Sequence, residues 1–441
     1  MRAAVKYLIF CLVVAMISSC AAEEQPIAPE TAQERSYTII CYFSSGELDV
    51  DVAETLNNLE KLTVSKSINI LGIVKWTRGR STQYSDSSGS VKSFQYNHSK
   101  HKLTFSDYGN AQFRINDAQN IANVITWAKD KAPADEYIVM FFGHGMAYHP
   151  KCDAITRGTL YDQYYKEYTG IGTIVEAFER AQTHFSLTIF DSCLMNTMEY
   201  ITELASYTDY YLASSHVSFT TYHELSLLVE GLMEFSGEQN CVLRGADYAI
   251  TQEFDRFYTD SRDISDKMVT DCRAVPALNE RIDQFVDIVV SLYSEQEEIG
   301  SEAFEAKYSF TIEDIDEALA ASYYFYEVFQ LAYYPDEYAV YDCYSFDLVD
   351  AVRRVAAATE HPDLLASAEA IVEAADQAIV SRVSRFVEGV DEVYPSVTLV
   401  NSEQWTELGF DKARYEDLAF DKATGWSRLL KRNNGSYPHT L

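Results

Sequence analysis

Hydrophobic positions in the first half of the chain follow two alternating patterns. Apolar runs rich in β-branched residues predict strands at 37–43, 67–76, 137–142 and 185–190. Apolar residues at helical spacing predict helices in the segments between them, for example at 50–62. Because strand–helix–strand order at this spacing is typical of parallel βαβ units, the pattern indicates an α/β fold with a mostly parallel, doubly wound sheet.

Three further elements of the first half follow from the same analysis. A short apolar run predicts another strand at 210–215. Alternating apolar residues along the polar segment 78–106 predict an exposed hairpin, and the tyrosine-rich segment 151–170, which has no clear period, predicts a loop.

Helical periodicity and acidic residues dominate the second half. Periodic apolar positions predict helices at 275–292, 312–331, 346–358 and 364–387, and a β-rich run predicts a late strand at 393–400. The predicted organisation is a leader at 1–19, a tether at 20–36, an α/β core at 37–244, a helical region at 245–390, and a return strand with a C-terminal segment at 391–441.

The N-terminus resembles the export signal of a bacterial lipoprotein. Arg2 and Lys6 precede an apolar run at 7–17 that is too short to span a membrane, and the residues from Ile17 to Cys20 resemble a lipobox. That resemblance implies cleavage before Cys20 and a lipid on its sulfur, and hence an outer-membrane lipoprotein that faces the periplasm or the cell exterior. The acidic residues after Cys20 resemble the surface-export signal of Bacteroidetes lipoproteins. The alternative is an ordinary secretory signal with a chance cysteine.

Charge restricts the partners of the protein. The 441 residues carry a formal net charge of −32, and loss of the two basic leader residues leaves −34. Such a chain repels phosphates, so nucleic acid is not an expected partner. Solubility outside the cell would explain the charge, and so would attraction for basic substrates.

The cysteines indicate neither a zinc site nor a dense disulfide framework. Those after Cys20 are scattered and form no C-x-x-C pair. They are Cys41, Cys152, Cys193, Cys241, Cys272 and Cys343.

Cys193 is the candidate nucleophile. It follows the strand at 185–190, and apolar residues at helical spacing follow it, so we expect it at a strand–helix junction. Unpaired N–H groups at the start of a helix favour the thiolate form of a cysteine. The alternative is a small, buried core cysteine.

His144 is the candidate base. It follows the apolar strand at 137–142 and lies between Gly143 and Gly145, which permit close approach of other groups. His144 and Cys193 each end a strand, and in a doubly wound sheet the crevice at that edge binds the ligand. The two side chains therefore suit a nucleophile–base pair, although each alone is also compatible with a structural role.

Two motifs resemble the clostripain-like cysteine peptidases, which share a caspase/gingipain type of fold. The segment 142–148 resembles the His-Gly motif of that family, and 190–199 resembles its cysteine motif. Residues 116–135 resemble the lead-in to the histidine, and 415–426 the closing segment. The resemblance implies a caspase-like α/β/α sandwich with a mostly parallel sheet, plus a C-terminal, mainly helical subdomain.

The resemblance also implies a mechanism. Cys193 would attack a peptide carbonyl to form a thioacyl-enzyme, with His144 as base and then as acid. The N–H groups of Gly145 and Cys193 are the expected oxyanion donors. No third catalytic residue is implied.

Specificity for Arg or Lys is implied through Asp191, which occupies the family's acidic position beside the nucleophile. A buried carboxylate binds cationic side chains through charge-assisted hydrogen bonds, but Asp191 is equally compatible with ordering its own turn. Ser215 and His216 are the other expected substrate-binding residues. The sequence from His216 to Tyr222 lacks the proline and tryptophan usual in the family, and Ala147 and Tyr148 replace Gly and Trp, which puts strict specificity in doubt.

Many relatives are zymogens that are cut between the histidine and the cysteine. Arg157 is the expected self-cleavage site, with Lys151 as the other candidate. No cofactor is expected to be required. Calcium dependence occurs in the family, but no loop shows metal-ligand spacing.

Two alternative functions stay open at this point. One is a catalytically silent surface lipoprotein that binds a peptide, a glycan or a protein. The other is a hydrolase or transferase that uses the same dyad on small amides.

Overall fold

The computed structural model describes residues 35–145, 159–216, 221–257, 265–322, 345–385, 397–400 and 415–430. Residues from Arg35 to Leu441 form one compact unit. In the parts of the chain given above, no helix combines the length and apolarity needed to cross a membrane.

Up to residue 213 strands are interspersed with single helices, and the described residues beyond it are mainly helical. The strands are β1 (Tyr37–Ser44), β2 (Ile68–Lys75), β3 (Val91–Asn97), β4 (Lys102–Gly109), β5 (Glu136–Phe142), β6 (Thr159–Asp162), β7 (Glu167–Thr169), β8 (Phe185–Asp191), β9 (Thr208–Ala213), β10 (Ser265–Asp271), β11 (Ser345–Asp347), β12 (Ile379–Arg385) and β13 (Thr398–Val400). The α-helices are α1 (Asp49–Leu59), α2 (Ala118–Lys131), α3 (Ile171–Ala181), α4 (Met198–Leu204), α5 (Glu224–Glu234), α6 (Cys241–Phe257), α7 (Val275–Ile299), α8 (Ser301–Tyr308), α9 (Ile312–Ala320), α10 (Leu348–Thr359), α11 (Pro362–Ala378), α12 (Ala419–Thr424) and α13 (Ser427–Leu430).

A nine-stranded sheet organises the molecule, in the order β12-β10-β9-β8-β5-β1-β2-β3-β4. The central strands from β9 to β2 pair in parallel. The β3–β4 hairpin extends one edge, and β10 and β12 extend the other, all in antiparallel pairing. Parallel pairing brings the carboxyl ends of β1, β5, β8 and β9 to one edge of the sheet, where a ligand site is expected.

Apolar side chains cover both faces of this sheet. Along β1, Ile40 and Tyr42 belong to one core, which also includes residues of α2, α3, α4, α7, α10 and α11. Ile39, Cys41 and Phe43 belong to the opposite core, with residues of α1, α5 and α6. Strands buried on both faces must be covered by helices on each side. The prediction of a caspase-like α/β/α sandwich with a mostly parallel sheet is therefore confirmed, and the comparisons reported below support it.

Several predicted elements differ from the structure. The predicted helix at 364–387 ends at Ala378, where β12 begins, so the prediction is wrong at its C-terminal end. The sequence pattern gave no signal for β10, and the predicted loop at 151–170 contains the β6–β7 hairpin. None of these strands is a continuous apolar run, because each contains charged residues. The charges are tolerated because partners that are distant in the sequence neutralise them.

Candidate active site

The register of β5 and β8 places the two candidate catalytic residues at equivalent positions. Phe142 pairs with Asp191 in this parallel ladder. His144 and Cys193 each lie two residues beyond that pair, at the carboxyl edge of the sheet. Both side chains are partly exposed, whereas the strands that carry them are buried. An imidazole and a thiol that solvent can reach are thus held at the ends of neighbouring strands.

The backbone of Gly145 packs directly against the backbone of Cys193. A Cβ atom at Gly145 would overlap the carbonyl oxygen of Cys193, and it would lie 2.8 Å from the Cβ of Ser192 and 3.0 Å from the nitrogen of Cys193. Only glycine permits this approach. The two residues expected to stabilise an oxyanion are therefore adjacent, as donors to one oxygen must be.

The turn after Cys193 is not the start of a helix, and the prediction of a strand–helix junction there is wrong. Helix α4 begins at Met198, where the side chain of Thr197 accepts a hydrogen bond from the N–H of Tyr200. Leu194 instead adopts a left-handed φ of 62°. Its N–H donates to the carbonyl of His216 at 3.0 Å. Contacts with the segment after β9 therefore replace the first helical turn, and the helix dipole cannot be invoked for the thiol.

His144 is held against the end of β1. Burial lowers the pKa of its imidazole below the ordinary value, while a backbone hydrogen bond with Gly46 and the charges of Glu47 and Asp51 oppose this shift. Gly46 has a φ of 50°, and a Cβ there would lie 3.4 Å from Cδ2 of His144. The ring meets Tyr161 edge-on, with 6.4 Å between centroids. A lowered pKa keeps the imidazole neutral near pH 7, the form that accepts a proton from a thiol.

Asp191 ends β8 inside a buried group of charges. Its side chain is 0 % exposed, and neither carboxylate oxygen has a hydrogen-bond partner within the described residues. The Nζ atom of Lys267 lies 3.9 Å from Oδ1 of Asp191 and 2.7 Å from Oε2 of Glu253, and it also bonds Glu224. Burial, followed by the charge of Glu224, raises the pKa of Asp191 well above its usual range, and burial raises that of Glu253 to about 7.

Ser215 and His216 lie beside this group but are themselves buried, each about 1 % exposed. Both of their N–H groups donate to the carboxylate of Asp266, at 3.1 Å from Ser215 and 2.7 Å from His216. The side-chain amide of Asn196 donates to Oγ of Ser215 at 2.9 Å. The structure thus anchors this segment to β10 and to residues 192–197 around Cys193, the nucleophile turn. Substrate binding by the two side chains stays a prediction.

Four ionisable residues of this region were not predicted as site residues from the sequence. They are Glu224, Glu253, Asp266 and Lys267. All four are buried, and their partners are 14 or more positions away in the chain. The sequence pattern gave no signal for β10, and the adjacent pair Asp266 and Lys267 is too common to mark a site.

Other predicted features fall partly outside the described residues. Cys20, Lys151 and Arg157 all lie there, as do Ala147 and Tyr148. Where the chain is described, no group of three or more His, Cys, Asp or Glu side chains is arranged to hold a metal ion. The cysteines at 41, 193, 241 and 272 are not in disulfides.

The closing segment packs against the helix that follows the nucleophile turn. The hydroxyl of Tyr415 donates to Oε1 of Glu199 at 3.0 Å, and the N–H of Ala419 donates to the side chain of Glu203. Both acceptors belong to α4. The closing segment therefore holds helix α4, which packs in the core that includes Ile40 and Tyr42.

Comparison with known proteins gives a consistent picture. The model of the clostripain family matches residues 88–432. The chain resembles a secreted C11 cysteine protease from Bacteroides thetaiotaomicron, with a TM-score of 0.58, 15 % identity, and coverage of 89 % of this chain and 99 % of that one. It also resembles an inactive zymogen C11 protease from Parabacteroides distasonis, with a TM-score of 0.57, 13 % identity and the same coverage. No curated protein matches the chain.

The family match spans both candidate catalytic residues and most of the chain, and the solved structures share its fold. The sheet edge, the two motifs and the contact of Gly145 with Cys193 agree with that match. This chain therefore belongs to the clostripain family of cysteine peptidases.

Proposed function

We propose that the protein is a lipid-anchored endopeptidase that cleaves peptide bonds after Arg or Lys. Cysteine peptidase activity follows from the family. The observation that supports the proposed machinery best is the contact of Gly145 with Cys193 at the edge where β5 and β8 end in register. In the proposed machinery, this contact would bring together the nucleophile Cys193, the base His144 and the two backbone donors.

In the proposed reaction, His144 removes the proton of the Cys193 thiol, and the thiolate adds to the carbonyl carbon of the substrate. The N–H groups of Gly145 and Cys193 bind the resulting oxyanion, each contributing about 3 kcal/mol. His144 then protonates the leaving amine as the C–N bond breaks. Water, deprotonated by His144, hydrolyses the thioester and regenerates the thiol. No step uses a cofactor, and dependence on calcium is tested by adding a chelator.

The preference for basic residues is assigned to Asp191. Three carboxylates surround one ammonium in its cluster, so the cluster is two charges negative when every group is ionised. Both oxygens of Asp191 lack a hydrogen bond from any described residue, and a guanidinium or ammonium group would supply one. A buried carboxylate with vacant acceptor positions favours a cationic ligand over a neutral one.

Anchoring and activation complete the proposal. A lipid on Cys20 would hold the enzyme at the bacterial outer membrane, with a tether at 20–36 between the lipid and the folded unit. Self-cleavage would follow Arg157 or Lys151. The related protein from P. distasonis is described as an inactive zymogen, which supports activation by cleavage. The B. thetaiotaomicron protease has also been solved with an irreversible peptide inhibitor, which supports peptide substrates.

The decisive experiment compares wild type with Cys193→Ala on fluorogenic peptides ending in Arg, Lys, Asp or a neutral residue. Turnover of the Arg and Lys peptides that depends on Cys193 is expected. Absence of Cys193-dependent turnover on every peptide would refute the peptidase, and equal turnover of all of them would refute the basic preference. An intact single band for both wild type and Cys193→Ala would refute self-cleavage, and mass spectrometry of the N-terminus tests the lipid.

A further inference from the structure

Lys267 belongs to a buried group of charges at the base of the nucleophile turn. This group, the Asp191 cluster, consists of Asp191 of β8, Glu224 of α5, Glu253 of α6 and Lys267 of β10. The side chain of Lys267 is 2 % exposed, and the three carboxylates are 0 % exposed. Four ionisable groups buried together must either neutralise one another or bind protons or a ligand.

Lys267 is not equally close to the three carboxylates of the Asp191 cluster. Lys267 donates hydrogen bonds to Glu224 and, at 2.7 Å, to Glu253. Its distance of 3.9 Å to Asp191 is too long for a hydrogen bond, but it is close enough for a strong charge interaction. Lys267 is therefore bonded to the two glutamates and acts on Asp191 through its charge.

We propose that Lys267 limits how strongly the enzyme selects Arg and Lys, because its ammonium competes with the cationic side chain of the substrate for Asp191. The inference rests on the proposed role of Asp191 in substrate binding. When a substrate side chain reaches Asp191, Lys267 keeps its bonds to Glu224 and Glu253 and stays close to Asp191. The repulsion between its ammonium and the cationic side chain of the substrate then weakens the binding of basic substrates. A neutral substrate side chain is not repelled.

The ionisation of Asp191 sets the conditions of the test. Glu224, Glu253 and Asp51 of α1 face it with negative charge, and Lys267 faces it with positive charge. Burial and these carboxylates favour its protonated form, which binds cations weakly. Lys267 opposes this shift, so its removal also raises the pKa of Asp191. The competition is therefore measured under alkaline conditions, where a larger fraction of Asp191 is ionised with or without Lys267.

The test measures kcat and KM on two peptides that differ in one residue, Arg or norleucine, on the amino side of the cleaved bond. Lys267→Met should raise the ratio of kcat/KM for Arg over norleucine by about tenfold, equivalent to about 1.4 kcal/mol, mainly by lowering KM for the Arg peptide. Lys267→Arg keeps the positive charge, so its ratio should stay within about threefold of wild type. A purely structural role would change both peptides alike.

The test includes one control variant, at Lys75, and one substitute variant, at Lys267. Lys75→Met removes another buried ammonium, which bonds Asp162 at 2.7 Å and has a side chain 5 % exposed. It should lower stability without changing the ratio. If Lys267→Met does not fold, as judged by circular dichroism, Lys267→Gln removes the charge and keeps donors for the glutamates.

The outcomes separate the two proposals. An unchanged or lower Arg preference in a folded, uncharged Lys267 variant, with wild type still selecting Arg, overturns the role of Lys267 alone. A wild type with no Cys193-dependent turnover of either peptide overturns both proposals. A wild type that prefers norleucine overturns the proposed basic preference of the enzyme, and a Lys267→Met variant that then prefers Arg supports the role of Lys267.

Discussion

Gly145→Ala tests whether the contact between the two strand ends is required for catalysis. The added Cβ would lie 2.8 Å from the Cβ of Ser192 and 3.0 Å from the nitrogen of Cys193, where ordinary contact begins at 3.4 Å, and it would also overlap the carbonyl oxygen of Cys193. These atoms belong to backbone or to a short side chain, so the two strand ends must separate by about 1 Å. A misplacement of that size can cost about a hundredfold in rate, or about 2.7 kcal/mol of barrier.

The assay is steady-state turnover of the Arg peptide, with enzyme concentration fixed by titration of the thiol. We expect kcat to fall by about a hundredfold and KM to change little, because the oxyanion donors act in the transition state. Gly172→Ala is the matched control, because a Cβ at this helical position meets nothing within 4 Å. It should preserve activity and stabilise the fold by about 0.5 kcal/mol. A folded Gly145→Ala enzyme with activity within about threefold of wild type would refute the predicted geometry.

In the pH profile of kcat/KM, the midpoint of the acidic limb should lie below the ordinary histidine pKa of about 6.5. Glu47→Gln should lower this midpoint further, because the charge of Glu47 raises the pKa of His144. A midpoint above about 6.5 in the wild type, or no shift in the variant, counts against His144 as the base. The ratio of Arg to norleucine cleavage should rise with pH, since the raised pKa of Asp191 keeps it protonated at lower pH; a flat ratio argues against Asp191. In the folded state the pKa of Asp266 is raised to about 7, so the native protein holds a proton that the unfolded chain releases. The contribution of this group to the free energy of unfolding therefore declines from about pH 4 to pH 7. Asp266→Asn should make the free energy of unfolding, measured in urea, depend less on pH in this range. Tyr415→Phe should lower the free energy of unfolding by about 2 kcal/mol, because it removes the hydrogen bond from the Tyr415 hydroxyl to Glu199. An unchanged free energy of unfolding would show that this contact does not hold the closing segment.

The central strands, and the position of His144 and Cys193 at the ends of two of them, were accessible from sequence because local signals are strong there. The strands ending before His144 and Cys193 are continuous apolar runs, which a sheet covered on both faces requires. Glycine beside His144 has a local signature as well, and its close approach to Cys193 follows once the parallel register is known. Helix α4 shows the limit: the apolar spacing after Cys193 is helical, but Leu194 is drawn into a left-handed turn by its hydrogen bond to His216.

By itself, the sequence determined which residues can do chemistry and on which type of element each lies. Only the tertiary structure decided what surrounds them. Strand β10 is held in place by contacts with other elements. Its Lys267 lies beside Asp191, Glu224 and Glu253 only because four elements that are distant in the sequence pack together. Periodicity reports the burial of apolar surface, which is a local property of the chain. The pairing of buried charges depends on distances across the fold, so no local pattern along the chain encodes it.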